Sequence, residues 1–210
     1  MPISTVPLQP LDQSSAEAID AVHHLYDPPL WLVTAAQSAA PDAPRAGCIA
    51  TFVARASIVK SMPRMLAGIA RQHHTWRTIE TSGRFALHLI PETALDLVWR
   101  FALKTGHQTD KYADLADVRT PDGNPLIETA LSWLDCQVET NTSSGDRSIY
   151  LAAVTGGGVI NAGAGTPLTA GRMMALAPAE QRRTLDQLYA RDGGIDAQGI
   201  EAWRSGKQSP

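Results

Sequence analysis

Three features of the sequence predict a mainly β fold, a barrel or sandwich with peripheral helices. Strand-length apolar runs recur between residues 29 and 160, separated by clusters of Gly, Pro, Asp and Asn. TSSGDR, at 142–147, has the composition of a hairpin turn between two of them. Neither GxGxxG after a strand nor GxxxxGK[ST] is present, so nothing marks the nucleotide-binding turn of a doubly wound sheet.

The elements follow in order. Residues 1–13 are Pro-rich and read as an arm lying on another surface. SSAEAIDAVHHLY is a short helix with Ser14 or Ser15 as N-cap and Ala18, Val22 and Leu25 at helical spacing. Pro28 and Pro29 end it. PLWLVTAA is a strand of buried type, because its apolar residues run on rather than alternate. QSAAPDAPRAG is its turn, GCIATFVARASIV a second strand and RMLAGIA a third. The polar loop RQHHTW enters the helix TWRTIETSG, which Gly83 stops, and FALHLI is the next strand.

PETALDLVWRFAL is a helix with Pro91 in its first turn and Leu95, Val98, Trp99 and Ala102 on one face. KTGHQTDKYADLADVRTPDGNP is a long polar connection with room for one helical turn. TALSWLDCQVET is a strand after a brief helical start. SIYLAAVTGGGVI pairs with it, and Gly156–Gly158 mark a bend or bulge. LTAGRMMALAPAEQRRTLDQLYARDGG is helical, with Pro178 opening its second helix, and IDAQGIEAWRSG is a final short helix. The expected organisation is an N-terminal arm and helix (1–27), a β domain (28–165) and a C-terminal helical extension (166–210), a kind of appendage that often packs on a partner subunit.

The 210 residues suffice for a sizeable core, and a net charge of −3 excludes a chain-wide basic surface for nucleic acid. Cys48 and Cys136 lie in apolar runs and read as buried thiols rather than a disulfide. No charged segment leads into an apolar leader, and no apolar run approaches the ~20 residues of a membrane span, so the expected setting is cytoplasmic.

RQHHTW is the segment richest in chemistry. Arg71, His73, His74 and Thr75 flank a helix start, where unpaired N–H groups and the helix dipole favour a phosphate. Trp76 or Phe52 is suited to face a flat ring. Together these hint at a phosphorylated aromatic cofactor. Adjacent histidines point about 100° apart on a helix, and no HExxH or CxxC surrounds either pair, so no metal site is expected. There is no GxSxG, and no catalytic nucleophile is assigned. His88 reads as a core or pocket residue. Arg55 is either a phosphate partner or an exposed strand residue. Lys111 and Tyr112 either touch a ligand or belong to a solvated loop. Asp146 and Arg147 sit in a tight turn, where local backbone bonding is common.

The ordered set PLWLVTAA, GCIATFVARAS, GIARQHHTWRTIETSGRFALHLI, FALKTGHQTDKYADL, GNPLIETALSWLDCQVET and GDRSIYLAAV resembles the flavin reductase-like family, the FMN-binding split β-barrel, over roughly residues 28–160. The C-terminal helices are similar to a flavoredoxin-like sub-branch. The resemblance implies that Ala50, Thr51 and Phe52 lie along the isoalloxazine and ribityl chain and that Ser57 closes that strand. It implies that Arg71, His74 and Thr75 hold the FMN phosphate, with Trp76 beside the flavin. It also places Lys111 in the family's basic loop, and Asp146 and Arg147 on its G-D-H motif. Arg147 stands where a histidine is usual, His88 where Asn is usual, Thr51 in place of paired serines, and SIVKSMP in place of S-x-x-P-P. The implied activity is hydride transfer from NAD(P)H to flavin N5 and on to a small-molecule acceptor or a partner monooxygenase. The implied assembly is a homodimer, and FAD is the alternative to FMN. An electron carrier or sensor with little turnover, or an enzyme of pyridoxamine-phosphate oxidase type, is the competing reading. The cofactor carries the chemistry in each case.

Overall fold

A computed structural model of the chain describes residues 10–103, 109–163 and 165–206. Among them, seven antiparallel strands form one sheet: β1 Trp31–Ala36, β2 Arg45–Ala50, β3 Val53–Arg55, β4 Arg64–Ala70, β5 Arg84–Leu89, β6 Ser132–Ser143 and β7 Arg147–Val159. Their order is β2-β1-β5-β6-β7-β4-β3. β2 and β3 therefore occupy opposite edges, yet only Thr51 and Phe52 separate them in the chain. That link requires the sheet to curl until its edges meet, where the Gly68 N–H donates to the Phe52 carbonyl at 2.7 Å. The result is the expected split barrel. The expected second strand, 47–59, is in fact two strands, because at Thr51 the chain leaves one edge of the sheet and at Val53 joins the other.

The sheet has a core on each face. Val33, Cys48, Ile69, Phe85, Leu87 and Tyr150 fill the barrel. Leu30, Leu32, Ile90, Val98, Phe101 and Leu185 form a second cluster under the helices. β1 contributes to both, which explains its uninterrupted apolar run. Burying each Leu or Phe fully is worth about 1.5–3 kcal/mol, so the outer cluster anchors the helical layer strongly.

The helices are α1 Gln13–His24, α2 His74–Ser82, α3 Leu95–Ala102, α4 Ala170–Leu176 and α5 Ala179–Arg204. The N-cap of α1 is Asp12, not Ser14 or Ser15, and its carboxylate accepts the Ser15 N–H at 2.8 Å. Ile19 and Val22 of α1, and Leu25 just after it, are exposed. Gly83, with φ 66°, caps α2. The two expected tail helices after Pro178 are one, since α5 runs through Gly193 and Gly194. Neither glycine has positive φ, and two interior glycines cost only about 1 kcal/mol each against the packing of the helix. The expected bulge lies at the register shift between Asp135–Gly156 and Cys136–Val154. Residues 1–9 of the arm and 104–108 of the polar connection lie outside the described residues.

His88 belongs to the core. It is fully buried, and its Nε2 accepts the Ile127 N–H at 3.3 Å, which leaves Nδ1 to donate to the Leu32 carbonyl at 3.3 Å. Burial pushes its pKa down to about 4. Cys48 and Cys136 are buried free thiols.

Candidate functional site

Between the edge strand β2, the start of α2 and the overlying α5 lie two cavities of about 280 and 410 Å³. They share Gln72, His73, Phe101, Leu188 and Asp192, and so form one groove. Among the described residues, β2 pairs only with β1. Alternate backbone N–H and C=O groups on its outer side are therefore left over from the ladder.

The larger compartment carries positive charge. Lys111 is only 8% exposed, and its Nζ donates to the Phe101 carbonyl at 2.8 Å and to the Gly47 carbonyl at 3.1 Å. Burial pulls its pKa down. Among the described residues, no carboxylate pairs with it. A buried cation held by two carbonyl dipoles and the face of the Phe101 ring, 5.9 Å away, favours an anion in the adjoining space. Beside it is the first turn of α2, where Thr75 is buried and no acidic side chain intervenes. His73 is the N-cap of α2 but makes no side-chain cap. Burial, then the nearby Lys111 charge, lowers its pKa, so the imidazole is neutral at neutral pH. Arg45 and Arg191 complete the rim, with Asp110 and Asp192.

The smaller compartment is more apolar. Ile69, Val98, Met173 and Leu185 line it together with the strand edge from Cys48 to Phe52. Arg147 stands at its wall with its guanidinium 4.7 Å from the Phe52 ring centroid. The Cys48 thiol lies there too, but burial raises its pKa, which keeps it protonated and unreactive.

The structure thus brings together seven of the residues expected to hold a cofactor. Ala50, Thr51, Phe52 and Arg147 line the smaller compartment, and His74, Thr75 and Lys111 the larger. The other three line neither. Ser57 accepts the Val59 N–H in the turn after β3. Trp76 donates its indole N–H to Ser148 Oγ at 2.8 Å and packs on the barrel core. Arg71 lies over the Trp76 ring at 5.2 Å. Sequence reasoning overlooked Tyr189, Asp192 and Asp196 of α5, which close the groove from above. A signal existed, since the stripe Leu185, Leu188, Tyr189, Asp192 and Asp196 keeps helical spacing but changes from apolar to acidic.

A phosphorylated flat ring fits this donor set. The apolar compartment suits a ring, the strand edge offers backbone groups to its polar margin, and the buried lysine with the helix start suits a phosphate.

Comparison with known proteins agrees with this geometry. Residues 23–177 match the family model described as "Flavin reductase like domain". A flavin reductase from Pseudomonas putida is 30% identical over 84 residues, 40% of this chain and 48% of that protein. The flavin-dependent monooxygenase reductase subunit HsaB of Mycobacterium tuberculosis is 32% identical over 92 residues, 44% of this chain and 48% of that protein. The chain covers about half the length of these curated relatives. Among solved structures, nitrilotriacetate monooxygenase component B from Mycobacterium thermoresistibile superposes with TM-score 0.60 at 24% identity, covering 73% of this chain and 83% of the other. The NADH:FAD oxidoreductase SgcE6 of Streptomyces globisporus C-1027 does so with TM-score 0.60 at 19% identity, covering 73% and 89%. At these identities the superpositions establish the fold, and the family match covers most of the chain. With this fold and this groove, the chain belongs to the flavin reductase-like family.

Proposed function

We propose that the protein is an NAD(P)H-dependent flavin reductase that binds FMN in the groove beneath α5. The observation that carries this reading is Lys111, a buried ammonium without a carboxylate partner among the described residues, at the start of α2 and continuous with an apolar slot. When bound, a flavin supplies hydride acceptance from a nicotinamide and onward transfer to an acceptor. The chain's own residues bind and orient. Lys111, Thr75 and the first-turn amides of α2 hold the phosphate. The edge of β2 from Ala50 to Phe52 meets the polar margin of the ring, and α5 limits access of water from above. No protein nucleophile is needed.

Two further parts of the reading concern partners. The hairpin of β3 and β4 exposes Ile58 (90%) and Met62 (64%), an apolar surface suited to a second copy of the chain, so we take the protein to be a homodimer. The similarity to HsaB, the reductase subunit of a flavin-dependent monooxygenase, supports a monooxygenase partner. Among the described residues, no helix is long and apolar enough to cross a membrane. The two free buried cysteines support a cytoplasmic setting.

The test is the absorbance spectrum of the purified protein, taken before and after FMN or FAD addition and desalting, followed by NADH and NADPH oxidation with each flavin. A retained, perturbed flavin spectrum or flavin-dependent turnover is expected. Neither binding nor turnover with either flavin would refute the reading.

A further inference from the structure

Arg147 is the cation at the wall of the apolar compartment that suits the flavin ring, yet α5 has already engaged it. Its Nε lies 3.1 Å from Asp146 Oδ2, and its Nη2 donates to Asp196 Oδ2 at 2.8 Å. All three side chains are mostly shielded, at 24%, 11% and 17% exposure. Two carboxylates against one guanidinium leave the cluster at a net −1 rather than the +1 of the arginine alone. Asp146 is fixed locally, since the Ser144 hydroxyl donates to its carboxylate at 2.8 Å and its carbonyl accepts the Arg71 N–H at 3.0 Å. Asp196 comes instead from a separate helix.

A second observation shows that this helix is built to sit there. Gly145, φ 95° at the tip of the β6–β7 turn, and Gly199 of α5 touch backbone to backbone. A Cβ on Gly199 would lie 3.0 Å from the Gly145 carbonyl oxygen and 3.2 Å from the Asp146 nitrogen. A Cβ on Gly145 would collide with the Gly199 carbonyl oxygen. Side-chain-free contact on both sides sets α5 at the distance where Asp196 reaches Arg147. The same helix face lines the apolar compartment with Tyr189 and Asp192.

We propose that Asp196 is a positioning residue. Through its ion pair it holds Arg147 and offsets its charge, which keeps the reduction potential of the bound flavin below the value Arg147 alone would impose. The inference rests on the flavin reading above. Its functional sense is that a reductase whose reduced flavin is not over-stabilised releases it or passes it on. Electrons and protons balance without Asp196, because it takes neither.

The test uses the full-length, flavin-loaded protein, four single variants and one double variant. Their readouts are the midpoint potential of the bound flavin and the ratio of affinities for reduced and oxidised FMN. Asp196→Asn, which keeps the shape and removes the charge, should raise the potential and shift the ratio about tenfold toward reduced flavin. Gly199→Ala changes no charge but pushes α5 off the turn, and should shift both readouts in the same direction by less. Asp186→Asn, on the exposed side of the same helix, should change neither. Arg147→Met should lower the potential, and adding Asp196→Asn to it should then have less effect than in the wild type. Equal shifts from Asp196→Asn and Asp186→Asn, or none from Asp196→Asn in protein that still binds flavin, would overturn the proposal alone. Wild-type protein that holds no flavin at any concentration would overturn the flavin reading and this inference together. Gly199→Ala covers the case in which Asp196→Asn fails to fold, because alanine favours the helix.

Discussion

His88 and Lys111 are both buried titratable groups, and the contrast between their surroundings separates structure from function in this protein. His88 is enclosed in the sheet, with one ring nitrogen accepting and the other donating, and its environment asks for nothing more. Lys111 is nearly as buried, but among the described residues its charge meets two carbonyl dipoles and the Phe101 ring rather than a carboxylate, and it opens onto a cavity of about 410 Å³. A satisfied buried polar group stabilises one arrangement of the chain. A buried charge with no counter-ion costs stability until something negative arrives, and such a cost is tolerated where a ligand offsets it.

The comparison can be broken at either end, and the largest effect is expected at His88. Its folded pKa of about 4 lies below the unfolded value of 6.5, so the unfolded chain binds the proton more readily. The neutral ring's contribution is complete above pH 6.5 and is lost as pH falls from 6.5 toward 4, by about 3 kcal/mol in all. Urea unfolding at pH 7 and pH 4.5 measures it, and His88→Asn, the residue more usual in the family, should flatten that slope. An undiminished slope in the variant would place the titration elsewhere.

Lys111→Met should do the opposite of a core mutation. FMN affinity should fall about 10- to 100-fold with the loss of a charged hydrogen-bonding partner, while the unliganded protein melts no lower than wild type because a buried charge has gone. Fluorescence-quenching titrations and thermal melts decide this together. A lower melting temperature with unchanged FMN affinity would make Lys111 a second His88.

Gly47 tests how tightly the lysine's shell is packed. A Cβ there would lie 2.7 Å from Phe101 Cε1 and 2.9 Å from the Tyr112 hydroxyl. Gly47→Ala should therefore cost about 1 kcal/mol or somewhat more in urea unfolding. The smallest effect belongs to Ser57, which bonds within its own turn. Ser57→Ala should leave FMN affinity within about twofold, and a larger loss would mean that the groove extends to the β3 turn.

Much of the larger compartment was legible because its pieces are local in sequence. A helix start after RQHHTW suits an anion by residue type alone, and Gln72, His73, His74 and Thr75 of that segment do line the cavity. Even so, residue type did not tell which histidine meets both compartments, and His73 does so because it stops short of the helix as the N-cap. Trp76 looked equally suited to a ring, yet its indole N–H turns to Ser148 on a strand far along the chain. The smaller compartment was only half legible. Its strand edge carried a motif, whereas its α5 wall depends on a contact between Gly145 and Gly199 that no local pattern announces.

The sequence by itself determined the mainly β class, most strand positions, the turn at Gly145 and the chemistry around α2, because periodicity, turn residues and helix signals act over a few residues. Tertiary structure alone decided that 47–59 splits between opposite edges, that α5 is continuous and lies over the groove, and that Arg147 is shared between two carboxylates. The physical reason is the same in each case. Closing the sheet brings together groups that are distant in the chain, and only their approach fixes which charges are paired and which remain open to a ligand.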